Sequence, residues 1–136
     1  MNLPVPRPTP ETAPYWKAAA QGELHMQQCN ACRKYYFYPR PTCPYCHGSE
    51  VTWRAVSGRA RLVSYVINQR PLPPFDPKTP LVIGLVELEE GPRMMTNIVD
   101  VEAVPAALEL DMELSVRFVT RGDQKLPVFA PAGGER

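Results

Sequence analysis

Five runs of β-branched and apolar residues occupy the second half of the chain, separated by Gly, Pro and Asp residues. They cover residues 58–70, 81–91, 93–100, 112–120 and 126–131. Such runs predict β-strands, because branched and aromatic side chains pack well on a pleated surface. The pattern therefore predicts a mainly β protein with five strands in this half.

The connections between these strands favour a barrel of the OB-fold type. A proline-rich loop at 71–80 joins the first two strands, a tight turn at 89–93 joins the next two, and a crossover at 101–110 follows. Gly84 interrupts an apolar strand, which indicates a bulge or a barrel bend. We therefore predict a five-stranded OB-fold barrel over residues 57–136, with loop 71–80 at its ligand mouth.

A short helix is predicted near the start of the chain, in the sequence "TPETAPYWKAAAQGEL". Thr9 is a suitable cap and Gly22 a suitable end for this helix. Pro14 must lie near the first turn, so the helical part is expected to begin only there. We assign residues 1–27 to an N-terminal arm and this helix.

The helix has an apolar stripe formed by Tyr15, Trp16, Ala19 and Ala20. One interpretation is that this stripe packs on the rest of its own chain. The other is that Tyr15 and Trp16 anchor a partner subunit, because large aromatic residues are favoured at interfaces. The sequence leaves both alternatives open.

All four cysteines lie within 18 residues, in two CxxC pairs separated by ten residues. The spacing predicts a tetrahedral zinc site in which each CxxC turn supplies two thiolates. No export signal supports the disulfide alternative, and free buried thiols are the other possibility. We predict a zinc ribbon over residues 28–56 with one structural zinc per chain. Its ligands are Cys29, Cys32, Cys43 and Cys46.

A site closed by four thiolates has no open coordination position, so the metal is expected to be structural and not catalytic. His25 and His47 lie near the cysteines, but four sulfurs already complete the tetrahedron. The aromatic run at 35–38 is predicted to be the strand that links the two CxxC turns. The alternative role for these rings is a stacking platform for nucleic-acid bases.

Charge and composition narrow the class of partner. The chain of 136 residues has 15 basic and 14 acidic side chains, so its net charge of +1 provides no field that attracts polyanions. It has 17 prolines, which argue against long helices. No segment has the length of a signal h-region or a membrane span, and we therefore expect a cytoplasmic protein without membrane contact.

Five motifs follow the helix in a fixed order: "GELHMQQC", "YPRPTCPYC", "VSGRARLVSYVI", "LVIGLVELEEGPRMMTNIV" and "LPVFAP". Together they resemble those of the DUF35 family, small proteins with a rubredoxin-like zinc ribbon followed by an OB fold. The resemblance covers about residues 11–131. One departure is Arg33, which follows the first cysteine pair where the family often has glycine.

The resemblance implies a partner. Members of the family are non-catalytic subunits that assemble with thiolase-superfamily enzymes, including thiolases and retro-aldolases, and help to hold the CoA ester. The sequence agrees that the chain is no enzyme by itself, because its cysteines are assigned to zinc and no nucleophile has an evident base. We therefore expect a hetero-oligomer with such an enzyme. The alternatives are a single-stranded nucleic-acid-binding protein and an enzyme or enzyme half, such as a hydratase-associated domain.

A CoA ester carries phosphates, which need cationic side chains where the ligand enters. Two cations flank the first long loop of the barrel, and two flank the turn before its last strand. We predict that these four contact the acyl-CoA, against the alternative that they are ordinary solvated charges. They are Arg70, Lys78, Arg121 and Lys125.

Overall fold

A computed structural model of the protein describes residues 3–132. The described part begins with a helix α1 (Ala13–Ala20) and a small sheet, and continues with a larger sheet. The small sheet contains β1 (His25–Cys29), β2 (Tyr35–Tyr36) and β3 (Val51–Ala55). The larger sheet contains β4 (Arg59–Asn68), β5 (Leu81–Leu88), β6 (Arg93–Asn97), β7 (Glu113–Arg121) and β8 (Gln124–Pro131).

The larger sheet is a nearly closed barrel with strand order β6-β5-β4-β7-β8, and all of its neighbouring strands are antiparallel. The two edge strands, β6 and β8, approach each other. Ile98 forms a bridge with Phe129, and Thr96 Oγ1 donates to the carbonyl oxygen of Pro127 at 3.2 Å. The prediction of a mainly β protein with a five-stranded barrel is confirmed. We call the junction of β6 and β8 the barrel seam.

The connections follow the predicted order. The turn between β5 and β6 closes through a hydrogen bond from the amide of Gly91 to the carbonyl of Leu88. The segment between β6 and β7 contains a short 3-10 helix at Pro105–Ala107. The proline-rich loop lies between β4 and β5, at one end of the barrel.

Gly84 does not form the predicted bulge. The register between β4 and β5 shifts between Leu62 and Ser64, so the bulge lies on the opposite strand at Val63. Gly84 is paired regularly and has a packing role, because a Cβ there would lie 2.8 Å from Ile98 Cδ1. The glycine in this strand is therefore explained by the close approach of Ile98 at the barrel seam, and not by an irregularity of the strand.

The helix begins at Ala13, close to the predicted proline, and Thr12 is its N-cap. Thr9 closes the preceding turn together with Thr12: the Thr9 amide donates to Thr12 Oγ1 at 2.8 Å, and the Thr12 amide donates to Thr9 Oγ1 at 3.2 Å. The prediction of Thr9 as the cap is therefore wrong, because Thr9 and Thr12 form a turn of their own and the helix begins only after Thr12. Gly22 follows the helix with φ +79°, a conformation that favours glycine.

The helix buries a different stripe from the predicted one. Tyr15, Ala18 and Ala19 are buried, whereas Ala20 is exposed. The helix lies against β8 and β1, so it covers the barrel and the small sheet together. No helix within residues 3–132 has the length and apolar character needed to cross a membrane.

The small sheet has the order β2-β1-β3 and forms the ribbon. Its strand β1 begins at His25, within the segment 1–27 assigned to the arm, so the arm and the ribbon share an element. Only Tyr35 and Tyr36 of the aromatic run are in a strand. Tyr36 is buried, and its hydroxyl donates to the carbonyl oxygen of Arg40 at 2.9 Å. The ribbon thus has a small buried cluster of its own, which Tyr36 forms together with Cys29 and Cys43.

Candidate functional site

The four cysteine sulfurs converge on one point of the ribbon. All lie within 4.8 Å of one another, and two cross-pairs are closer, Cys29 with Cys46 at 3.5 Å and Cys32 with Cys43 at 3.6 Å. A tetrahedron with Zn–S bonds of about 2.3 Å has sulfurs roughly 3.8 Å apart. The side chains therefore fit a tetrahedral zinc ion bound by four thiolates.

Backbone amides stabilise the sulfurs in both CxxC turns. The Cys32 amide points at Cys29 Sγ at 3.5 Å, and the Tyr45 amide points at Cys43 Sγ at 3.3 Å. The hydrogen bond from the Cys32 amide is the largest of the effects that lower the pKa of the Cys29 thiol to about 6. This shift favours the thiolate, which is the form that binds a metal.

Both turns end in a residue with left-handed backbone conformation. Arg33 has φ +68° and His47 has φ +66°, and their amides donate to the carbonyls of Cys29 and Cys43, each at 2.9 Å. The turn therefore forms with arginine at position 33 in place of the family's glycine. Arg33 adopts there a backbone conformation that is easier for glycine. The two CxxC turns are geometrically equivalent.

The histidines have other surroundings. His25 Nε2 lies 2.8 Å from Glu23 Oε1, and the His47 side chain is exposed. Among residues 3–132, the group that gathers around a metal position consists of the four cysteines. Neither histidine belongs to this group.

A second feature lies at the end of the barrel beside the proline-rich loop. It is a cavity of about 510 Å³ that we call the mouth cleft. Its walls are mostly apolar, and Arg121 is the charged residue among those that line it. The lining residues are Asn68, Pro71, Leu72, Pro73, Phe75, Leu81, Ile83, Thr96, Asn97, Arg121 and Leu126.

The structure separates the four predicted cations. Arg121 lines the mouth cleft, and its Nη1 donates to the carbonyl oxygen of Pro4 at 3.0 Å. Arg70, Lys78 and Lys125 are exposed and lie outside the residues that line the cleft. Contact of the four cations with a ligand stays a prediction.

A third feature, missed by sequence reasoning, is a cavity of about 260 Å³ at the barrel seam, which we call the seam pocket. It lies where the helix, the ribbon and the two edge strands meet, so segments far apart in sequence form it. Its lining residues are Thr12, Tyr15, Trp16, Phe37, Tyr38, Pro39, Met94, Met95, Thr96, Asn97, Leu126, Pro127 and Val128.

The two predicted interface residues, Tyr15 and Trp16, both line the seam pocket. Tyr15 is 6 % exposed and belongs to the main core, with its ring centroid 5.8 Å from that of Phe37. Burial raises the pKa of its hydroxyl. This packing agrees with the alternative in which the helix packs on its own chain. Trp16 is half-buried and reachable from solvent, and its role at an interface stays a prediction.

Two family models match the chain. Residues 16–52 match the model described as "ChsH2, rubredoxin-like zinc ribbon domain", and residues 53–119 match "ChsH2, C-terminal OB-fold domain". The two matches meet at the end of the ribbon and together cover the cysteines and most of the barrel.

Curated relatives are of two kinds. A "DUF35 domain-containing scaffold protein" of Methanothermobacter thermautotrophicus is 32% identical over 79% of this chain and 81% of its own length. A "Probable enoyl-CoA hydratase alpha subunit" of Thermomonospora curvata is 33% identical over 95% of this chain and 40% of its own length. A "3-oxo-4,17-pregnadiene-20-carboxyl-CoA hydratase alpha subunit" of Mycobacterium tuberculosis is 28% identical. The chain spans about two fifths of these hydratase subunits.

Solved structures share the whole architecture. A chain of the "Ltp2-ChsH2(DUF35) aldolase" superposes with a TM-score of 0.81 and 32% identity, over 94% of this chain and 99% of that chain. A DUF35 protein of unknown function from Sulfolobus solfataricus, at 12% identity and a TM-score of 0.64, shares the fold. The predicted resemblance is confirmed: the chain belongs to the DUF35 family and combines the zinc ribbon and OB-fold domains of ChsH2 proteins.

Proposed function

We propose that the chain is a non-catalytic accessory subunit that docks on a thiolase-superfamily enzyme acting on acyl-CoA, a thiolase or a retro-aldolase. The observation that carries the proposal is the similarity to a chain of the Ltp2-ChsH2 aldolase, which extends over nearly the full length of both chains. A match that includes the helix, the ribbon and the barrel supports a common role for the whole chain. The relatives named as scaffold proteins support the same role.

The arrangement of nucleophiles and bases supports a non-catalytic role. The cysteines surround the metal position, and His25 pairs with Glu23 at the surface. Among residues 3–132, neither histidine lines the mouth cleft or the seam pocket. A catalytic nucleophile needs a base within hydrogen-bond reach, and these cavities supply no such histidine pair.

The zinc has a structural role in this proposal. When bound, it joins the two CxxC turns of a ribbon whose own core is small, with Tyr36 as its large buried side chain. The ribbon and the helix then present a fixed surface to the partner enzyme. The chain binds one zinc and remains a soluble subunit of a hetero-oligomer in the cytoplasm.

The mouth cleft holds the CoA ester. Its walls suit the apolar parts of such a ligand, and Arg121 supplies a positive charge for a phosphate. Arg70 and Lys78 belong to or border the loop that forms one wall, and Lys125 borders the turn beside Arg121. These three are the additional candidates for phosphate contacts.

The test of the assembly is co-purification of the tagged chain from its native cell, with the bound enzyme identified by mass spectrometry and its stoichiometry by native mass spectrometry. A thiolase-fold enzyme in constant ratio to the chain supports the proposal. Recovery of the chain without such an enzyme, under conditions that preserve known complexes, contradicts it.

The test of CoA binding is the KM of the purified complex for its acyl-CoA. Replacing Arg121 with Glu should raise KM about tenfold or more, and Lys125→Glu at the same turn should raise it less, because Lys125 lies outside the residues that line the cleft. Reversal of both Arg70 and Lys78 to Glu should also raise KM if loop charges contribute. An unchanged KM in all three variants contradicts the CoA role of this end of the barrel.

A further inference from the structure

The four cysteines of the ribbon differ in their exposure to solvent. Cys29 and Cys43 are buried, Cys32 is half-buried, and Cys46 is exposed. The susceptibility of a cysteine to oxidation follows its thiolate character and its exposure. A bound zinc ion holds all four sulfurs as thiolates, so exposure is the property that distinguishes them. An oxidant in solution therefore meets Cys46 before the other three.

Gly48 leaves the sulfur of Cys46 uncovered on one side. A Cβ at position 48 would lie 3.4 Å from Cys46 Sγ and 3.9 Å from Cys29 Sγ, which is ordinary van der Waals contact. The φ angle of Gly48 lies outside the left-handed region, so the backbone itself does not require glycine there. The missing side chain thus gives a small molecule access to these two sulfurs without being needed for the turn.

Cys46 also has a neighbour with which it can form a disulfide. Cys29 Sγ lies 3.5 Å from Cys46 Sγ and belongs to the other CxxC turn. A disulfide has an S–S distance of about 2.0 Å, so a shift of roughly 1.5 Å joins the two sulfurs. The pair has the arrangement of an accessible reactive cysteine beside a resolving cysteine.

We propose that Cys46 is a redox modification site at which a peroxide attacks the zinc-loaded ribbon, with Cys29 as the resolving cysteine. This inference rests on the zinc site of the proposed function and is independent of the partner enzyme. It assigns to the ribbon a response to oxidants in addition to its structural role.

The reaction has two steps. The Cys46 thiolate first attacks one oxygen of hydrogen peroxide, the O–O bond breaks, and a sulfenic acid and one hydroxide form. The Cys29 thiolate then attacks the Cys46 sulfur, the S–S bond forms, and the S–O bond breaks with release of a second hydroxide. Two protons convert the hydroxides into water, and two electrons pass from the sulfurs to the peroxide. The ribbon then offers the metal two thiolates in place of four, so zinc is released.

The first measurement is zinc release from the purified, zinc-loaded chain. Hydrogen peroxide is added in the presence of a chromogenic chelator that reports free zinc. The chain should release about one zinc ion, because the oxidised ribbon keeps only two thiolate ligands. Treatment with a thiol reductant and added zinc should restore the metal content, since a disulfide is reversible.

The second measurement locates the disulfide. Arg33 and Lys34 lie between the two CxxC pairs, so trypsin places Cys29 and Cys46 on different peptides. A bond between these two cysteines joins the peptides, whereas a disulfide within one CxxC pair leaves them separate. After a short exposure to peroxide and alkylation of the remaining thiols, mass spectrometry should find the Cys29–Cys46 bond as the first disulfide.

Two variants test the accessibility and the role of Cys46. Gly48→Ala should bind zinc normally and release it about fivefold more slowly, because the added methyl group covers the two sulfurs. Ser49→Ala is the matched control, and it should release zinc at the rate of the unmodified chain. Cys46→His keeps a zinc ligand and removes the oxidisable sulfur, so it should retain its zinc in peroxide. Gly48→Ala leaves all four ligands in place, so it decides the question even if Cys46→His binds zinc weakly.

Retention of zinc by the unmodified chain in peroxide would overturn the inference. A first disulfide that excludes Cys46, or equal rates of release for Gly48→Ala and the unmodified chain, would also overturn it while leaving the zinc site intact. Failure of the zinc site itself has a different signature, a purified chain without metal, and it would remove this inference together with the structural zinc.

Discussion

Gly58 and Val116 are in direct contact at the point where the ribbon joins the barrel. The Val116 amide donates to the carbonyl oxygen of Gly58 at 2.9 Å, and a Cβ on Gly58 would lie 2.5 Å from Val116 Cγ1. Gly58 also has φ +81°. Both the space and the backbone conformation therefore require glycine at this position.

The residues on either side of Gly58 bind the turn between β5 and β6. The Ser57 amide donates to Glu90 Oε2 at 2.8 Å, and Arg59 Nη2 lies 2.8 Å from Glu89 Oε1. These contacts join the "SGR" and "ELEEGPR" motifs, which lie about 30 residues apart in the sequence. Together the two motifs fix the start of the barrel next to the ribbon.

We predict that Gly58→Ala lowers the free energy of unfolding by about 2–4 kcal/mol, because it adds a steric clash to a left-handed backbone. Gly22→Ala is the matched control, since Gly22 has φ +79° and nothing within 4 Å of the added Cβ. That control should cost only about 1–2 kcal/mol. Urea denaturation of both variants measures the difference, and equal losses would contradict the clash.

The metal site predicts a local effect. Cys43→Ser should remove the zinc and unfold the ribbon around its small cluster, while the barrel stays largely intact because most buried residues of the main core belong to the barrel. Metal analysis should find about one zinc per chain in the unmodified protein and in the neighbouring control Thr42→Ala. Pure protein with neither zinc nor iron, and with four reactive thiols, is incompatible with this account.

The ion pairs of Glu87 on the barrel surface should make the stability of the protein depend on pH. Glu87 accepts hydrogen bonds from Arg93 at 2.9 Å and from Arg61 at 3.2 Å, which lower its pKa. A carboxyl group whose pKa is lower in the folded state stabilises the fold above its unfolded pKa. That contribution is lost as the pH falls below about 4.3, the ordinary value for Glu.

Replacing Glu87 with Gln should therefore reduce the loss of stability between neutral pH and low pH. Glu113→Gln is the control, because Glu113 forms no salt bridge within residues 3–132. Thermal unfolding of the three proteins from pH 7 to pH 3 gives the comparison. Identical pH profiles for Glu87→Gln and the unmodified chain would count against a contribution from these pairs.

The interface prediction now depends mainly on Trp16. We expect Trp16→Ala to weaken the complex with the partner enzyme by about 2 kcal/mol if this residue is a hot spot. Tyr15→Ala is a poor test, because Tyr15 belongs to the core of its own chain. Trp53→Phe is a suitable control for the loss of a tryptophan. Sedimentation of the reconstituted complex measures the affinity, and equal affinities would remove Trp16 from the interface.

The sequence predicted the ribbon well because its signal is local: two CxxC turns fix four ligands within 18 residues. The strands were predicted within a few residues, since each has its own run of apolar side chains. Prediction was less successful where distant segments meet. The bulge at Val63, the burial of Tyr15 and the packing role of Gly84 all depend on contacts that no single segment contains.

The same limit applies to the cavities. Four cations near two loops looked equivalent in the sequence, but Arg121 alone among them lines the mouth cleft. The seam pocket had only indirect signals, namely Trp16 in the helix and the aromatic run in the ribbon. Its shape depends on how the helix lies against β8, which follows from tertiary packing and not from local propensity.

The central claim is that this chain is an accessory subunit required by an acyl-CoA enzyme. The most direct measurement compares the solubility and specific activity of the co-purified thiolase-fold enzyme when it is expressed alone, with this chain, and with the chain added afterwards. The account predicts an insoluble or nearly inactive enzyme alone, and recovery of activity when the chain is present. An enzyme that is soluble and fully active without this chain would contradict the account.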